Sequence, residues 1–457
     1  MIVWVLYLTR ALGAPGFGVV AFAFSFLTFG IMIVDFGFDQ LGQREVTRET
    51  FNLRDLVETV VAVRFIIAVV TFAAIVTVVL LNDINARAKP LIILYTVSLL
   101  TYAIDLNWVF FGKEKMHYPA FAEIIIQVVY VGVVIGFVKS VDQMVYIPLG
   151  FLAGRLVAVV YQYIYYLRFF GPFIPRLRWK IFTQLVPEAM PLWGSMIIVQ
   201  VMNNFSILAL GVWASMNDAG IFAAVQRVMR APMFMALAYF TVIRPSINRA
   251  HRDGFESVRI FLRKSLRLSM GFAVGLAVGG WMTAEPLVLF LFGEDFLGGV
   301  LALRFLVLGT SLFIVNRHYR FLMIAFGHQS TDFKMMVAAA AVNAALTVAL
   351  IKPFGATGAA AAVLGGEILI TSVGYLLVLS LIAHVPMGRF ILKPVLCSIA
   401  MAGTLTLCTQ FNVIVQIVIG GGVYCVAMVA LGVVRVHEVK VALGGFLPNK
   451  SAARQGT

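Results

Sequence analysis

Charged residues are scarce in this sequence. Asp, Glu, Lys and Arg make up 12% of its 457 residues, whereas a soluble globular domain carries about 25%. Hydrophobic residues make up 61%, and apolar windows of about 20 residues, the length that crosses a bilayer as a helix, recur along the chain. We therefore predict an all-α polytopic membrane protein. The strand-type alternation of apolar and polar residues is missing, which argues against a membrane β-barrel.

Cysteine is also scarce, and its three copies lack the spacing of a metal site. Cys397, Cys408 and Cys425 all fall in apolar segments near the C-terminus, where we interpret them as small core residues. No metal site and no cofactor are predicted. The first nine residues lack the basic stretch and the small-residue cleavage site of a signal peptide. We interpret them as the end of a first helix that is short or begins upstream.

Basic residues outnumber acidic ones and give a net charge of +14. Most of them lie in the connections between apolar segments, as the positive-inside rule describes for membrane proteins, so no nucleic-acid partner is predicted. The connections after the even-numbered spans, together with the tail, hold most of the loop Lys and Arg. This asymmetry predicts that those connections and the C-terminus are cytoplasmic.

We predict fourteen membrane spans, of which the first is truncated. Their approximate limits are 1–9, 17–40, 56–81, 90–111, 118–138, 144–168, 186–213, 220–243, 260–290, 299–325, 333–352, 357–383, 391–410 and 412–434. Residues 169–185 contain clustered prolines and basic residues, which resist entering hydrocarbon. We predict a cytoplasmic linker there, between an N-lobe at 1–168 and a C-lobe at 186–383. Two accessory spans at 384–434 and a cytoplasmic tail at 435–457 follow.

Matching motifs recur in the two predicted lobes. Gly18 opens span 2 and Gly220 opens span 8, each followed by two apolar residues and an alanine, and Gly154 in span 6 corresponds to Gly366 in span 12. Because an even number of spans separates the copies, both enter the membrane in the same direction. Parallel repeats of this kind are typical of two-lobed transporters that work by alternating access.

Several short stretches resemble those of bacterial polysaccharide flippases. They are Leu12–Gly18, Asp35–Phe38 with Arg44–Val46, Trp108–Met116, Leu291–Phe296 and Pro353–Ala359. Over all but the last two spans and the tail, the chain resembles the O-antigen and exopolysaccharide flippase branch of the multidrug/oligosaccharidyl-lipid/polysaccharide exporter superfamily. The resemblance implies a flippase that moves an undecaprenyl-diphosphate-linked oligosaccharide across the bacterial inner membrane, coupled to H⁺ or Na⁺. Phe111 departs from the family, which usually has Gln at that place.

Charged residues inside spans are candidates for function, because inserting each costs about 2.5–3.5 kcal/mol. We predict that the substrate-binding residues are Arg64, Arg155, Arg227, Arg230, Arg317 and Arg320, and that the coupling or gating residues are Asp105 and Glu367. Arginine outnumbers acid near mid-depth. This excess favours an anionic substrate such as a lipid-linked diphosphate, since guanidinium groups bind phosphate oxygens bidentately.

Structural roles for these residues remain open from the sequence. The alternatives are membrane-edge anchors for Arg317 and Arg320, a structural Arg155–Glu367 ion pair, and pairing of Arg227 and Arg230 with Asp105 or Glu367. We expect Asp35 and Arg44 to hold the turn after span 2 rather than to touch substrate.

Two other functions are open to such a membrane protein. A multidrug exporter of the same superfamily would favour acidic or apolar cavity residues, and a membrane-embedded polysaccharide polymerase or ligase would carry a large outer loop with catalytic side chains. The outer connections here are short, so we predict a transporter and not an enzyme. The predicted partners are the lipid-linked oligosaccharide, the bilayer, and a polysaccharide polymerase with its chain-length regulator.

Overall fold

The described part of the chain is almost wholly helical. The computed structural model describes residues 2–252, 254–381 and 388–433, which contain sixteen α-helices, two short 3₁₀ turns and no strand. The helices are α1 (Ile2–Asp35), α2 (Phe38–Arg48), α3 (Leu53–Leu81), α4 (Ala88–Val97), α5 (Leu99–Ala103), α6 (Asn107–Gly112), α7 (His117–Phe137), α8 (Tyr146–Phe170), α9 (Trp179–Trp213), α10 (Met216–Val228), α11 (Arg230–Arg252), α12 (Phe255–Phe292), α13 (Val300–Ala325), α14 (Gln329–Leu381), α15 (Gly388–Leu407) and α16 (Val413–Ala430). The predicted all-α fold is confirmed. The predicted tail at 435–457 lies outside the described residues.

Twelve helical stretches within the described residues are long and apolar enough to cross a membrane. Two of them change direction at a glycine: α1 at Gly13, with φ of 63°, and α14 at Gly355, with φ of 51°. A positive φ is unfavourable for residues that carry a Cβ, so glycine permits both kinks. The sequence predicted two spans within each kinked stretch, so twelve stretches stand against fourteen predicted spans, and the number of crossings stays a prediction.

The fourth predicted span, 90–111, is not one continuous helix. It is divided into α4, α5 and α6, and the second break lies at Ile104–Leu106. Side chains accept from the N–H groups that this break releases. Asp105 Oδ1 accepts from the N–H of Asn107 at 2.8 Å, and Gln162 Oε1 accepts from the N–H of Leu106 at 3.0 Å. Polar side chains of this kind compete with the helix for backbone N–H groups. The break cannot be seen in the sequence, because the span reads there as one apolar run.

The predicted linker is non-helical only in its middle. Residues 171–178 lie between α8 and α9, outside any helix. Glu58 on α3 holds them: its carboxylate accepts from the N–H of Ile174 at 3.4 Å and from the Arg178 guanidinium at 3.1 Å. Its backbone carbonyl accepts from the N–H of Arg176 at 3.2 Å. The connection between α8 and α9 is therefore a short strap fixed to α3.

The chain forms two compact units. The first contains the described residues up to Arg227 together with 292–299 and 340–362, and the second contains the described residues of 228–291, 300–339, 363–381 and 388–433. In the first unit, α9 packs along α1 and also contacts α2 and α3. In the second unit, α11 packs on α13 and α15 packs on α16. The lobe boundaries at 168 and 186 stay a prediction.

The accessory helix α16 packs on a glycine face of α12. Gly271 and Gly275 are four residues apart and therefore share one face of α12. The hydroxyl of Tyr424 on α16 donates to the carbonyl of Gly271 at 2.6 Å. A Cβ at Gly275 would lie 2.6 Å from the Tyr424 ring. Small residues permit this close helix contact, as they commonly do in membranes.

Replacing Gly275 with alanine should destabilise the second unit by about 1–3 kcal/mol, because the added methyl group overpacks the contact with Tyr424. Thermal unfolding in detergent measures the change. The matched control is Gly422→Ala on α16, where nothing lies within 4 Å of the added Cβ and the higher helix propensity of alanine should help slightly. Equal unfolding temperatures of the two variants would contradict a close contact between Gly275 and Tyr424.

Candidate functional site

The break in the fourth span holds a buried ion pair. Arg155 on α8 lies 3.0 Å from Asp105, with side-chain exposures of 4% and 10%. The Arg155 guanidinium also stacks on Tyr102 of α5, 3.7 Å from the ring centroid. The sequence predicted Arg155 for substrate and Asp105 for coupling. The structure brings these two together, so each neutralises the charge of the other in this conformation.

Arg64 on α3 also contacts carboxylates. Its guanidinium makes an ion pair with Asp35 and lies 2.7 Å from Asp39. Asp35 in turn accepts from the N–H of Gly37 at 3.2 Å and from the N–H of Asp39 at 3.0 Å. These bonds lie where α1 turns into α2. Arg64 therefore holds this turn, together with the aspartate expected to do so.

Two predicted arginines lie one turn apart on α13 in the second unit. Arg320 makes two hydrogen bonds to the carboxylate of Asp332 on α14, at 2.9 and 3.1 Å. Arg317 lies over the ring of Phe313, 4.5 Å from its centroid. Two parallel bonds to one carboxylate fix the Arg320 guanidinium in place. Arg317 stacks through the flat face of its guanidinium, so its hydrogen-bonding edge takes no part in that contact.

Glu367 on α14 has a neutral partner on α13. Its Oε2 accepts from the side-chain amide of Asn316 at 2.7 Å. Asn316 also lies 3.4 Å from the hydroxyl of Thr371, one turn further along α14. The Thr371 hydroxyl donates to the backbone carbonyl of Glu367 at 2.7 Å. The half-buried carboxylate is thus held by a neutral amide, and its coupling role stays a prediction.

Arg227 and Arg230 lie on opposite sides of a helix break. The sequence predicted that both side chains project from one face of a single helix. Because α10 ends at Val228 and α11 begins at Arg230, helix geometry alone does not place them on one face. Arg230 is exposed. Arg227 is half-buried, with its guanidinium 4.5 Å from the ring centroid of Trp4 and 5.1 Å from that of Phe17.

A buried polar cluster on α9 and α14 was not predicted. Asn343, Thr347 and Ser206 are almost completely buried, and the hydroxyls of Ser206 and Thr347 are 3.4 Å apart. Neither polar atom of the Asn343 side chain has a hydrogen-bond partner among the described residues. A buried amide in this condition marks a place for a water molecule or an ion. The signal in the sequence is Asn343 and Thr347, four apart in an apolar run.

The repeated glycines of spans 2 and 8 lie against each other. A Cβ on Gly18 would lie 1.7 Å from the carbonyl oxygen of Met216, and a Cβ on Gly220 would lie 1.9 Å from that of Ala14. The backbones of α1 and α10 thus cross at a distance that only glycine permits. This crossing lies near the loops predicted to face outward, and we call it the outer crossing.

Comparisons with known proteins agree with this architecture. The profile of a family described as polysaccharide biosynthesis protein matches residues 1–251, and no curated protein matches the chain. Among solved structures, lipid II flippase MurJ in its inward closed conformation has a TM-score of 0.73 at 16% identity, covering 94% of this chain and 99% of that chain. An inward-facing multidrug resistance MATE family transporter of the MOP superfamily has a TM-score of 0.61 at 14% identity, covering 85% and 96%. At these identities the likeness shows the fold.

Proposed function

Because this chain belongs to the polysaccharide biosynthesis protein family, we propose that it flips an undecaprenyl-diphosphate-linked oligosaccharide from the cytoplasmic to the outer leaflet of a bacterial inner membrane. The family match over residues 1–251 carries the proposal. The fold shared with a lipid II flippase supports it. The work is transport by alternating access, with no covalent bond made or broken.

The diphosphate is assigned first to Arg227 and Arg230. Their guanidinium groups, near the ends of α10 and α11, can form charge-assisted, bidentate hydrogen bonds to phosphate oxygens. Arg64, Arg155 and Arg320 face carboxylates in this conformation, so a substrate that engages them would displace those carboxylates. Arg317 is a further contact in the second unit.

Transport against a gradient requires coupling, and Glu367 is the proposed coupling residue. Binding of H⁺ or Na⁺ at its carboxylate would neutralise a charge that is costly within a membrane. The amide of Asn316 holds the carboxylate in a defined position. Neutralisation would therefore change the relative energies of the two access states, which is the requirement for any ligand that shifts such an equilibrium.

Glu367→Gln should impair transport at least about tenfold and remove its dependence on the coupling ion, because the amide keeps the size of the side chain and loses its charge. Vesicle assays with imposed H⁺ or Na⁺ gradients measure the effect. Glu123→Gln is the control, since Glu123 is an exposed acid of α7 bonded to Gln127. Normal, ion-dependent transport by Glu367→Gln would remove Glu367 from the coupling step.

The proposal also assigns an orientation and partners. A cytoplasmic C-terminus follows from the charge asymmetry of the loops, and reporter enzymes active on only one side of the membrane, fused after residue 457, test it. A flippase delivers its product to the outer leaflet. The polymerase and its chain-length regulator would act there on the delivered oligosaccharide, so they are the proposed partners.

The decisive experiment uses the purified full-length protein in proteoliposomes. The substrate is a fluorescent undecaprenyl-diphosphate-linked oligosaccharide, and loss of fluorescence to a membrane-impermeant quencher reports the lipid that reaches the outer leaflet. Protein-dependent flipping of this lipid, and not of a zwitterionic phospholipid with the same fluorophore, supports the proposal. Equal rates for both lipids, or no transport of the diphosphate lipid, would refute it.

The second candidate function is multidrug export, which is favoured only by the fold shared with a multidrug transporter. The same vesicles loaded with a cationic dye distinguish the two. Ion-driven dye export without flipping of the diphosphate lipid would favour the exporter. The excess of basic residues within the spans argues against it, since a cationic drug would be repelled.

A further inference from the structure

The outer crossing is reinforced by a second contact between α10 and α1. The first contact is the backbone approach of Gly18 and Gly220. The second is the stacking of the Arg227 guanidinium on Trp4 and Phe17. Arg227 lies seven residues after Gly220, so the two contacts are about two helical turns apart on the same helix. Both contacts hold α10 against α1.

The aromatic contact joins both arms of the kinked helix α1. Trp4 precedes the kink at Gly13, and Phe17 follows it. Both rings are almost completely buried, and Trp4 packs edge-on against Tyr130 of α7, with 5.1 Å between centroids. One guanidinium therefore holds the short first arm, the second arm and α10 in one arrangement.

An anion can bind the Arg227 guanidinium and compete with its aromatic contacts, which a neutral or cationic ligand does not do. A guanidinium presents its flat faces to aromatic rings and its edge to phosphate oxygens. A diphosphate can make several charge-assisted bonds to one guanidinium, which together compete with stacking on buried rings. A diphosphate that engages Arg227 can therefore draw its side chain away from Trp4 and Phe17.

We propose that the Trp4–Arg227–Phe17 stack is a latch that keeps α10 on α1 until a diphosphate head group engages Arg227. The identity of the ligand rests on the proposed function, whereas the latch itself rests on the contacts. Trp4 and Phe17 are thus positioning residues that act through Arg227. The latch links opening of the predicted outer end to the presence of anionic cargo.

The test measures a distance across the predicted outer end. Ala86 precedes α4, which packs on α1, and Asn217 lies in α10. Both positions are exposed and lie near connections predicted to face outward. Each is replaced with cysteine and spin-labelled, after Cys397, Cys408 and Cys425 have been changed to serine. Double electron–electron resonance in lipid nanodiscs then reports the fractions of short and long distances, with and without undecaprenyl diphosphate.

In the wild-type background we expect short distances without ligand and a long-distance population with it. Trp4→Leu should raise the ratio of long to short roughly tenfold without ligand, which corresponds to about 1.4 kcal/mol, and Trp4→Phe should raise it less because a ring remains. The matched control is Trp281→Leu, which removes a stack with Arg304 at 5.4 Å in the second unit. This control should behave as wild type.

The outcomes separate the latch from the cargo. If undecaprenyl diphosphate binds but Trp4→Leu and Phe17→Leu keep the wild-type distances, the latch is overturned and the cargo stands. If both variants open the end but no binding of undecaprenyl diphosphate is detected, the diphosphate assignment and the proposed cargo fail together. Phe17→Leu provides the same readout should Trp4→Leu fail to fold.

Discussion

Flipping should be abolished when Arg227 and Arg230 are both replaced with alanine. The proposed diphosphate contacts come from these two guanidinium groups, and a hydrogen bond to a charged group contributes about 1.5–3 kcal/mol. Loss of both predicts a fall in transport rate of at least about a hundredfold. The measurement is the fluorescent lipid assay, with membrane insertion and expression verified for each variant.

Lysine variants and a distant arginine provide the controls for the double alanine variant. Arg227→Lys and Arg230→Lys keep the charge and lose the planar fork, so each should retain partial activity. Arg304→Ala removes another arginine within a span, one that donates to the carbonyl of Trp281 at 3.2 Å, and should leave transport unchanged. Full activity in the double alanine variant would eliminate these arginines from the substrate site.

The largest loss of stability is expected from Asp105→Asn. This change leaves the buried Arg155 guanidinium without its carboxylate, and breaking a buried ion pair from one side costs about 3–5 kcal/mol. The asparagine side-chain oxygen can still accept from the N–H of Asn107, so the loss reports the missing charge rather than the helix break. Thermal unfolding in detergent should show a markedly lower midpoint.

A surface ion pair is the matched control for Asp105→Asn. Lys113 and Glu49 are 2.7 Å apart, and the Glu49 side chain is 74% exposed, so Glu49→Gln should change stability little. The double variant Asp105→Leu/Arg155→Met should recover much of the loss, since apolar replacements of both partners are often tolerated. If Asp105→Asn melts like Glu49→Gln, the ion pair does not stabilise the fold.

The membrane class and the all-α fold followed from the sequence. A helix must provide about 20 apolar residues to cross the hydrocarbon region whatever its neighbours are, so long apolar segments were sufficient to indicate membrane helices. The glycine motifs at 12–18 and 353–359 also coincide with the kinks at Gly13 and Gly355. A local need for positive φ is visible in the residue type itself.

The sequence placed charged residues within the predicted spans, but it did not show which of them meet. Arg155 and Arg227 lie at similar predicted depths, yet the structure pairs Arg155 with Asp105 and stacks Arg227 on Trp4. The polar cluster around Asn343 was missed for the same reason. Its members come from α9 and α14, which are far apart in the chain.

Tertiary structure also decided what the repeated glycines do. The sequence showed that Gly18 and Gly220 occupy matching places in two repeats, which indicated tight packing at each. Only the folded chain shows that they pack on each other. Hydrophobic length and backbone preference act within one segment and can be read from it. The partner of a charge or of a glycine depends on how distant segments cross, and that crossing is set by the packing of many side chains together.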